Sequence, residues 1–370
     1  MAALRSQASP AAHRVSSRLL ALAVLTIIAG CSGESTVVGP EPEPEPEPVV
    51  CTTTFQPKSF ARHVIGFYPS WRHGSWPISE IRWDKLTRVI YAFAFPTPDG
   101  GLDTGDLMQI DPLVAAAHAR GVEVYLSIGG GGGSDTFPVM AANAEARTRF
   151  AQTIRDYLGA HCLDGVDIDW ERWTKDSNNI PLASEKASLV ALLHDLRNAL
   201  HPVGLKISVD VFATHWIGQH YDDAVHPLVD YVHVMAYNFS GPWSAPGPHS
   251  SFLQAVGTGS GSTATGLAYW TRFRNWPKEK IILGVPFYGR DFDTNGGAGI
   301  TYADIVARHV GASNLDRVAN IYYNGVPTIT AKTQFVVDNG YPGVMIWEIG
   351  QDVRDPAASL LHAIAGVANP

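Results

Sequence analysis

Eight short runs rich in β-branched and aromatic residues recur from residue 63 onward, and stretches with helical spacing separate them. The runs are VIGFY (64–68), RVIYAFAF (88–95), VEVYLSI (122–128), DGVDIDW (164–170), LKISVDVF (205–212), DYVHVMAY (230–237), IILGVPF (281–287) and GVMIW (343–347). Near-continuous apolar strands joined by helices mean a parallel sheet covered on its outside. The helix signals agree. Asp111 reads as an N-cap with Pro112 in the first turn and Gly121 as the stop; Leu189, Leu192, Leu193, Leu196 and Leu200 keep helical spacing behind a Ser184 cap. Eight such units predict an α/β fold, a (β/α)8 barrel, whose functional site lies at the C-terminal ends of the strands. A doubly wound open sheet is the alternative topology.

The fourth run carries acids where a strand should carry aliphatics. Residues 164–171 read DGVDIDWE, and strand periodicity places Asp167, Asp169 and Glu171 on one face with Val166, Ile168 and Trp170 on the other. Three acids then point into the barrel. Burying carboxyls together raises the proton affinity of at least one, which a general acid near neutral pH requires. Glu171, nearest the mouth, is placed to donate. Interior acids without a basic partner would only destabilise a core. Aligned carboxylates could also hold a divalent metal, but no further Asp, Glu or His is expected around the strand, so no metal and no cofactor is expected.

Charge and the N-terminus bound the partners. The chain has a net charge of −8; residues 1–30 carry only Arg5, Arg14 and Arg18, and residues 31–50 only Glu34, Glu41, Glu43, Glu45 and Glu47, which leaves −6 on residues 51–370. That is no footprint for nucleic acid. Arg14 and Arg18, the apolar stretch from Leu19 to Ile28 and the small pair Ala29 and Gly30 read as an export signal. Ile28 to Cys31 resembles a bacterial lipobox, which implies lipidation at Cys31 and a signal peptide over 1–30. By the same resemblance, Ser32 after the cysteine implies passage to the outer membrane, on its periplasmic or outer side. Residues 41–48, EPEPEPEP, lie in a Glu-Pro linker over 31–50; at polyproline rise they extend roughly 25 Å. Contact with a membrane is expected only through the lipid, and a monomer is expected. Cys51 and Cys162 could form a disulfide in an oxidising compartment, but a buried free thiol is the commoner outcome for Cys162.

With these motifs in view, the chain resembles glycoside hydrolase family 18, the chitinase family. Its signature D-x-x-D-x-D-x-E is matched by Asp164, Asp167, Asp169 and Glu171, and further motifs are SIGG (127–130), MAYN (235–238), GVPFYGR (284–290) and Trp347. The resemblance implies a TIM barrel over 51–370 and a retaining mechanism without an enzyme nucleophile. The substrate's 2-acetamido oxygen would attack C1 while Glu171 protonates the leaving oxygen. Asp169 would hold the acetamido N–H, Asp167 would tune Asp169, and Tyr237 would steady the acetamido oxygen. Trp347 would floor the cleaved sugar's subsite, with Trp71 on the non-reducing side and Trp243 on the leaving side. Tyr68, Gly129, Gly130, Met235, Asn238 and Arg290 are further sugar-binding candidates.

Asn238 departs from the family pattern, where many relatives carry Asp, and this bears on the pH dependence. Trp173 and Trp216, on other strand-to-helix loops, are also candidates for stacking on sugar. The run Gly129 to Gly133 lacks the Lys-Ser/Thr of a phosphate loop and reads as a flexible βα loop. The stretch between Arg290 and Trp347 is shorter than in relatives with a full α+β insertion between strands 7 and 8, which implies an open cleft suited to internal cuts. Chitin or chitooligosaccharides are the expected substrate. The alternatives are an endo-β-N-acetylglucosaminidase acting on the chitobiose core of N-glycans and a catalytically silent chitin-binding lectin.

Overall fold

The computed structural model describes residues 55–255 and 261–370. The expected leader 1–30, the linker 31–50 and the lipidation position Cys31 lie outside them. The eight runs form the barrel strands β1 (His63–Pro69), β2 (Arg88–Pro96), β3 (Glu123–Gly129), β4 (Gly165–Asp169), β5 (Lys206–Phe212), β6 (Tyr231–Met235), β7 (Ile281–Pro286) and β8 (Gly343–Trp347). Each pairs in parallel with its neighbour in this series, and β8 returns to pair with β1 at Met345 and Ile65, which closes the barrel.

The strands bury both faces, and the two faces belong to different cores. Ile65, Phe67, Ile90, Tyr125, Ile282 and Met345 fill the interior, while Val166, Ile168 and Trp170 pack outward with Leu189, Leu192 and Leu196 of the helix Ala183–Leu200. Period-two alternation therefore sends Asp167 and Asp169 inward.

The helix signals are met with small offsets. The helix after β2 runs Ile110–His118 with Gln109 at its N-cap, so Asp111 sits in the first turn, where its carboxylate meets His161 at 2.6 Å. Gly121 takes φ +70° just past that helix, a conformation glycine adopts without strain. Ser184 lies inside its helix, behind Leu182 at the N-cap. The connection from β1 to β2 holds three short 3-10 turns and no α-helix.

The connection between β7 and β8 carries a small α+β wall. The segments Tyr288–Asp291, Ala298–Thr301, Arg317–Val318 and Ile321–Tyr322 pair as a small antiparallel sheet with helix Tyr302–Arg308 beside it, while helix Val326–Asp338 packs against β8 and the C-terminal helix Leu360–Ala368. One expectation is overturned: Cys162 is disulfide-bonded, not a free thiol. The chain's other cysteines, Cys31 and Cys51, lie outside the described residues. Among the described residues no helix is long and apolar enough to cross a membrane.

Candidate active site

A cavity of about 450 Å³ opens at the C-terminal ends of the strands, bordered by Asp169, Glu171, Tyr237 and Trp347 among others. β4 ends at Asp169, so Glu171 stands two residues beyond it, at the mouth. Its backbone is fixed from several sides. The buried Ser134 Oγ lies 2.6 Å from the Gly130 carbonyl and 2.9 Å from the Asp169 carbonyl, which share its one hydrogen, and accepts the Glu171 N–H at 3.1 Å. The Trp170 indole donates to the Arg172 carbonyl at 2.7 Å, and the Tyr221 hydroxyl to the Trp170 carbonyl at 3.2 Å. The residues flanking the acid are thus held on both sides.

The glycine run supplies the close approach. A Cβ on Gly129 would sit 2.4 Å from the Asp169 carbonyl oxygen, and one on Gly133 2.1 Å from the Phe95 ring. Gly130 N–H donates to that same Asp169 carbonyl at 2.8 Å. The segment forms a turn beside the acid in which Gly129 and Gly133 are closely packed while Gly131 and Gly132 are exposed.

The acids differ in what surrounds them. Burial, countered in part by the Arg172 charge and a Gly131 backbone hydrogen bond, pushes Glu171 up to about 7. Asp169 is held well above the ordinary carboxylate range, first by burial and then by the charges of Glu171, Asp210 and Asp167. Burial would raise Asp167 too, but the hydrogen bond and charge of His233 and the Ser208 hydroxyl outweigh it and hold this carboxyl below its ordinary value. Tyr237 stays a protonated donor, because burial and the neighbouring acids raise it well above the usual phenol range. A proton donor poised near neutral pH thus stands beside an acid pair whose members are pushed apart.

Asp210 and His233 overturn the expectation that no further acid or histidine surrounds the strand. Both stand inward beside Asp167, with the His233 Nδ1 3.0 Å from Asp210 and 3.4 Å from Asp167. The facing atoms of the three residues lie within 4.8 Å of one another. They are engaged with each other as a hydrogen-bonded network. Sequence reading missed this pair, although polar residues at inward positions of apolar strands were a visible signal. Asp164 sits at the opposite end of β4, where its carboxylate accepts from Val124 N–H at 2.7 Å and faces His118 at 2.9 Å, and so ties β3 to β4.

The aromatic candidates divide. Trp347 borders the cavity, stacked on Phe93 at 5.6 Å with Phe67 edge-on at 5.5 Å, and Trp71 borders it while 59% exposed. Trp243 stands exposed under the Arg290 guanidinium, 5.1 Å from its ring centroid, outside the cavity lining. Trp173 stacks on Trp170 at 4.9 Å in the outer core, and Trp216 does not border the cavity. Tyr68 does not reach it either. Alternation sends Phe67 inward instead, and the buried Tyr68 hydroxyl bonds the Trp76 carbonyl at 2.6 Å and His73 at 3.0 Å. Gly129, Met235 and Asn238 line the cavity, whereas Gly130 lies behind it under Phe93. Asn238 holds φ +60°, which Asn tolerates, and its Oδ1 accepts from Tyr288 at 2.6 Å and Arg290 at 2.5 Å.

A family model for glycosyl hydrolases family 18 matches residues 63–352. A chitinase-like effector of Moniliophthora perniciosa is 33% identical over 247 residues, which is 62% of this chain and 56% of that protein. The chain therefore spans just over half the length of that curated relative. A chitinase from Bacteroides thetaiotaomicron superposes with a TM-score of 0.73 at 26% identity, covering 83% of this chain and 96% of that one. A family 18 chitinase from the chitin utilization locus of Flavobacterium johnsoniae gives 0.70 at 27%, covering 84% and 94%. Strand order, carboxylate strand and family match converge, and the chain belongs to the glycosyl hydrolases of family 18.

Proposed function

We propose that this protein is a chitinase that cleaves β-1,4 linkages between N-acetylglucosamine units, using the substrate's own acetamido oxygen as nucleophile. The observation that carries the reading is Glu171: a partly buried acid at the cleft mouth, lifted to about 7, beside an Asp169 that lines the same cavity. Intramolecular attack gains from proximity, and a carboxyl beside the developing oxazolinium ion stabilises it. Trp347 offers an apolar face for the sugar ring, and the Tyr237 hydroxyl a donor for the acetamido oxygen. Solved relatives at 26% and 27% identity are described as chitinases, which supports the substrate class.

The test is turnover. Incubated separately with N-acetylglucosamine oligomers and a high-mannose glycoprotein, the protein should cleave only the oligomers, and fully deacetylated oligomers should bind without cleavage. Cleavage of the glycoprotein core would favour the endo-β-N-acetylglucosaminidase reading. A covalent sugar-enzyme adduct, or equal cleavage of deacetylated oligomers, would overturn the substrate-assisted mechanism. Glu171→Gln should lower turnover by at least ~10²-fold and keep oligomer affinity. The name chitinase-like effector borne by a 33% identical relative motivates a second reading, a sugar binder without turnover. Binding by the wild type with no cleavage at any pH would decide for it.

A further inference from the structure

Two titratable groups inside the barrel have no task in the sugar chemistry above. Asp210 on β5 and His233 on β6 are register partners on adjacent strands and are 1% and 0% exposed. The His233 Nδ1 faces Asp210 Oδ1 at 3.0 Å and Asp167 Oδ1 at 3.4 Å. With two carboxyl oxygens before it, this nitrogen carries the hydrogen and donates. Asp167 receives two donors more, from Ser127 Oγ at 2.9 Å and Ser208 Oγ at 2.6 Å. Among the described residues no hydroxyl donates to Asp210, which borders the cavity and shares a hydrogen bond with Asp167.

Two buried carboxyls in contact do not both ionise, and the one with more donors keeps the charge. By that rule Asp167 is the anion and Asp210 keeps the proton. The electrostatics point the same way: burial first, and then the charge of Asp167, hold Asp210 well above the ordinary carboxylate range, while Asp167 lies below it. The other titratable groups that interact with these carboxyls are Asp169, Glu171, Tyr221 and Tyr237, and His63 interacts with His233. The Phe67 ring lies edge-on to His233 at 6.4 Å.

We propose that Asp210 and His233 are positioning residues for cleavage: His233 bridges the two carboxyls, pins Asp167 as the anion behind Asp169, and leaves the shared proton on Asp210. The charge behind Asp169 is thereby fixed at a single unit, and Asp169 and Glu171 meet the sugar with the same neighbour at every turnover. This rests on the proposed hydrolysis and deepens it. Neither residue touches the reacting atoms, so their loss acts on kcat and on the pH profile before KM.

The experiment measures kcat and KM across pH on the N-acetylglucosamine tetramer for the full chain and four variants. Asp210→Val should lower kcat about tenfold with KM within about twofold, and Asp210→Asn, which keeps a neutral donor, should recover most of that loss. His233→Leu removes an anion-stabilising donor, so the proton affinity of the cluster rises and the alkaline limb of kcat moves up by about one pH unit. His233→Asn, which keeps a donor near the Nδ1 position, should return the limb toward wild type. Asp210→Asn as damaged as Asp210→Val, or an unmoved limb in folded His233→Leu, would overturn the proposal. If the wild type cleaves no oligomer, the hydrolysis reading fails by itself. The proton placement is then read by infrared absorption of protonated carboxyls in 13C-aspartate-labelled protein at neutral pH. Asp210→Asn should remove one such band, and its persistence would refute the assignment.

Discussion

Glu171 owes its proton affinity to where β4 ends more than to its partners, since burial is the largest cause of the shift to about 7. A general acid works while protonated, so turnover should decline as pH rises through about 7. A rate profile on the tetramer, taken at saturating substrate, checks this; full activity at pH 9 would refute the assignment. Asn238 offers a second test at this scale. Its Oδ1 already accepts from Arg290 and Tyr288, and Tyr288 in turn feels the Glu171 charge, so an Asp at 238 would add a negative charge in reach of the acid. An added anion raises a neighbouring carboxyl's proton affinity. Asn238→Asp should move the alkaline limb upward, by less than about one unit because the Arg290 ion pair absorbs part of the charge. The same profile in wild type and variant would show that Asn238 leaves the acid untouched.

At the scale of elements, the acid is held by a turn in which Gly129, Gly130 and Gly133 are required by contact. Gly133→Ala would place a methyl 2.1 Å from the Phe95 ring and 2.5 Å from the Gly129 carbonyl oxygen. The turn must shift, at a cost of about 1–3 kcal/mol. Because Ser134 in that turn accepts the Glu171 N–H, kcat should fall together with the denaturation midpoint, whereas Gly132→Ala, with nothing within 4 Å of its Cβ, should change neither. Equal behaviour of the two variants would show that the turn does not position the acid. This turn also marks the limit of what the sequence reveals. The eight strands and the inward face of DGVDIDWE were legible because period-two alternation needs no partner. The same rule, applied to FY in β1, would have assigned Phe67 rather than Tyr68 to the cleft. The Asp210–His233 pair was not assembled because it joins the adjacent strands β5 and β6, where registry between strands decides contact. Trp173 and Trp243 both follow barrel strands, yet Trp173 stacks on Trp170 while Trp243 stands exposed under Arg290, a difference set by packing partners distant in sequence.

The whole chain poses a question of place, since the proposed cleavage of a polymer requires the barrel to stand where the polymer is. Among the described residues no helix is long and apolar enough to cross a membrane, and the N-terminal segment carries an apolar stretch from Leu19 to Ile28, Cys31 and the EPEPEPEP run. We propose a lipid on Cys31 and an outer-membrane lipoprotein, with the spacer holding the barrel roughly 25 Å off the surface. A single acyl chain gives only marginal binding, so firm attachment calls for more than one on the same cysteine. Expressed with its own leader in a bacterium, the protein should fractionate with membranes, and Cys31→Ser should release it with unchanged kcat on the soluble tetramer. Deleting residues 41–48 should keep the protein on the membrane and keep that kcat, yet lower the rate on insoluble chitin supplied to intact cells, because the cleft can no longer reach past the surface. Wild type found wholly in the soluble fraction after export would refute the anchor. An equal rate on insoluble chitin with and without the spacer would refute its role as a stand-off while leaving the anchor in place.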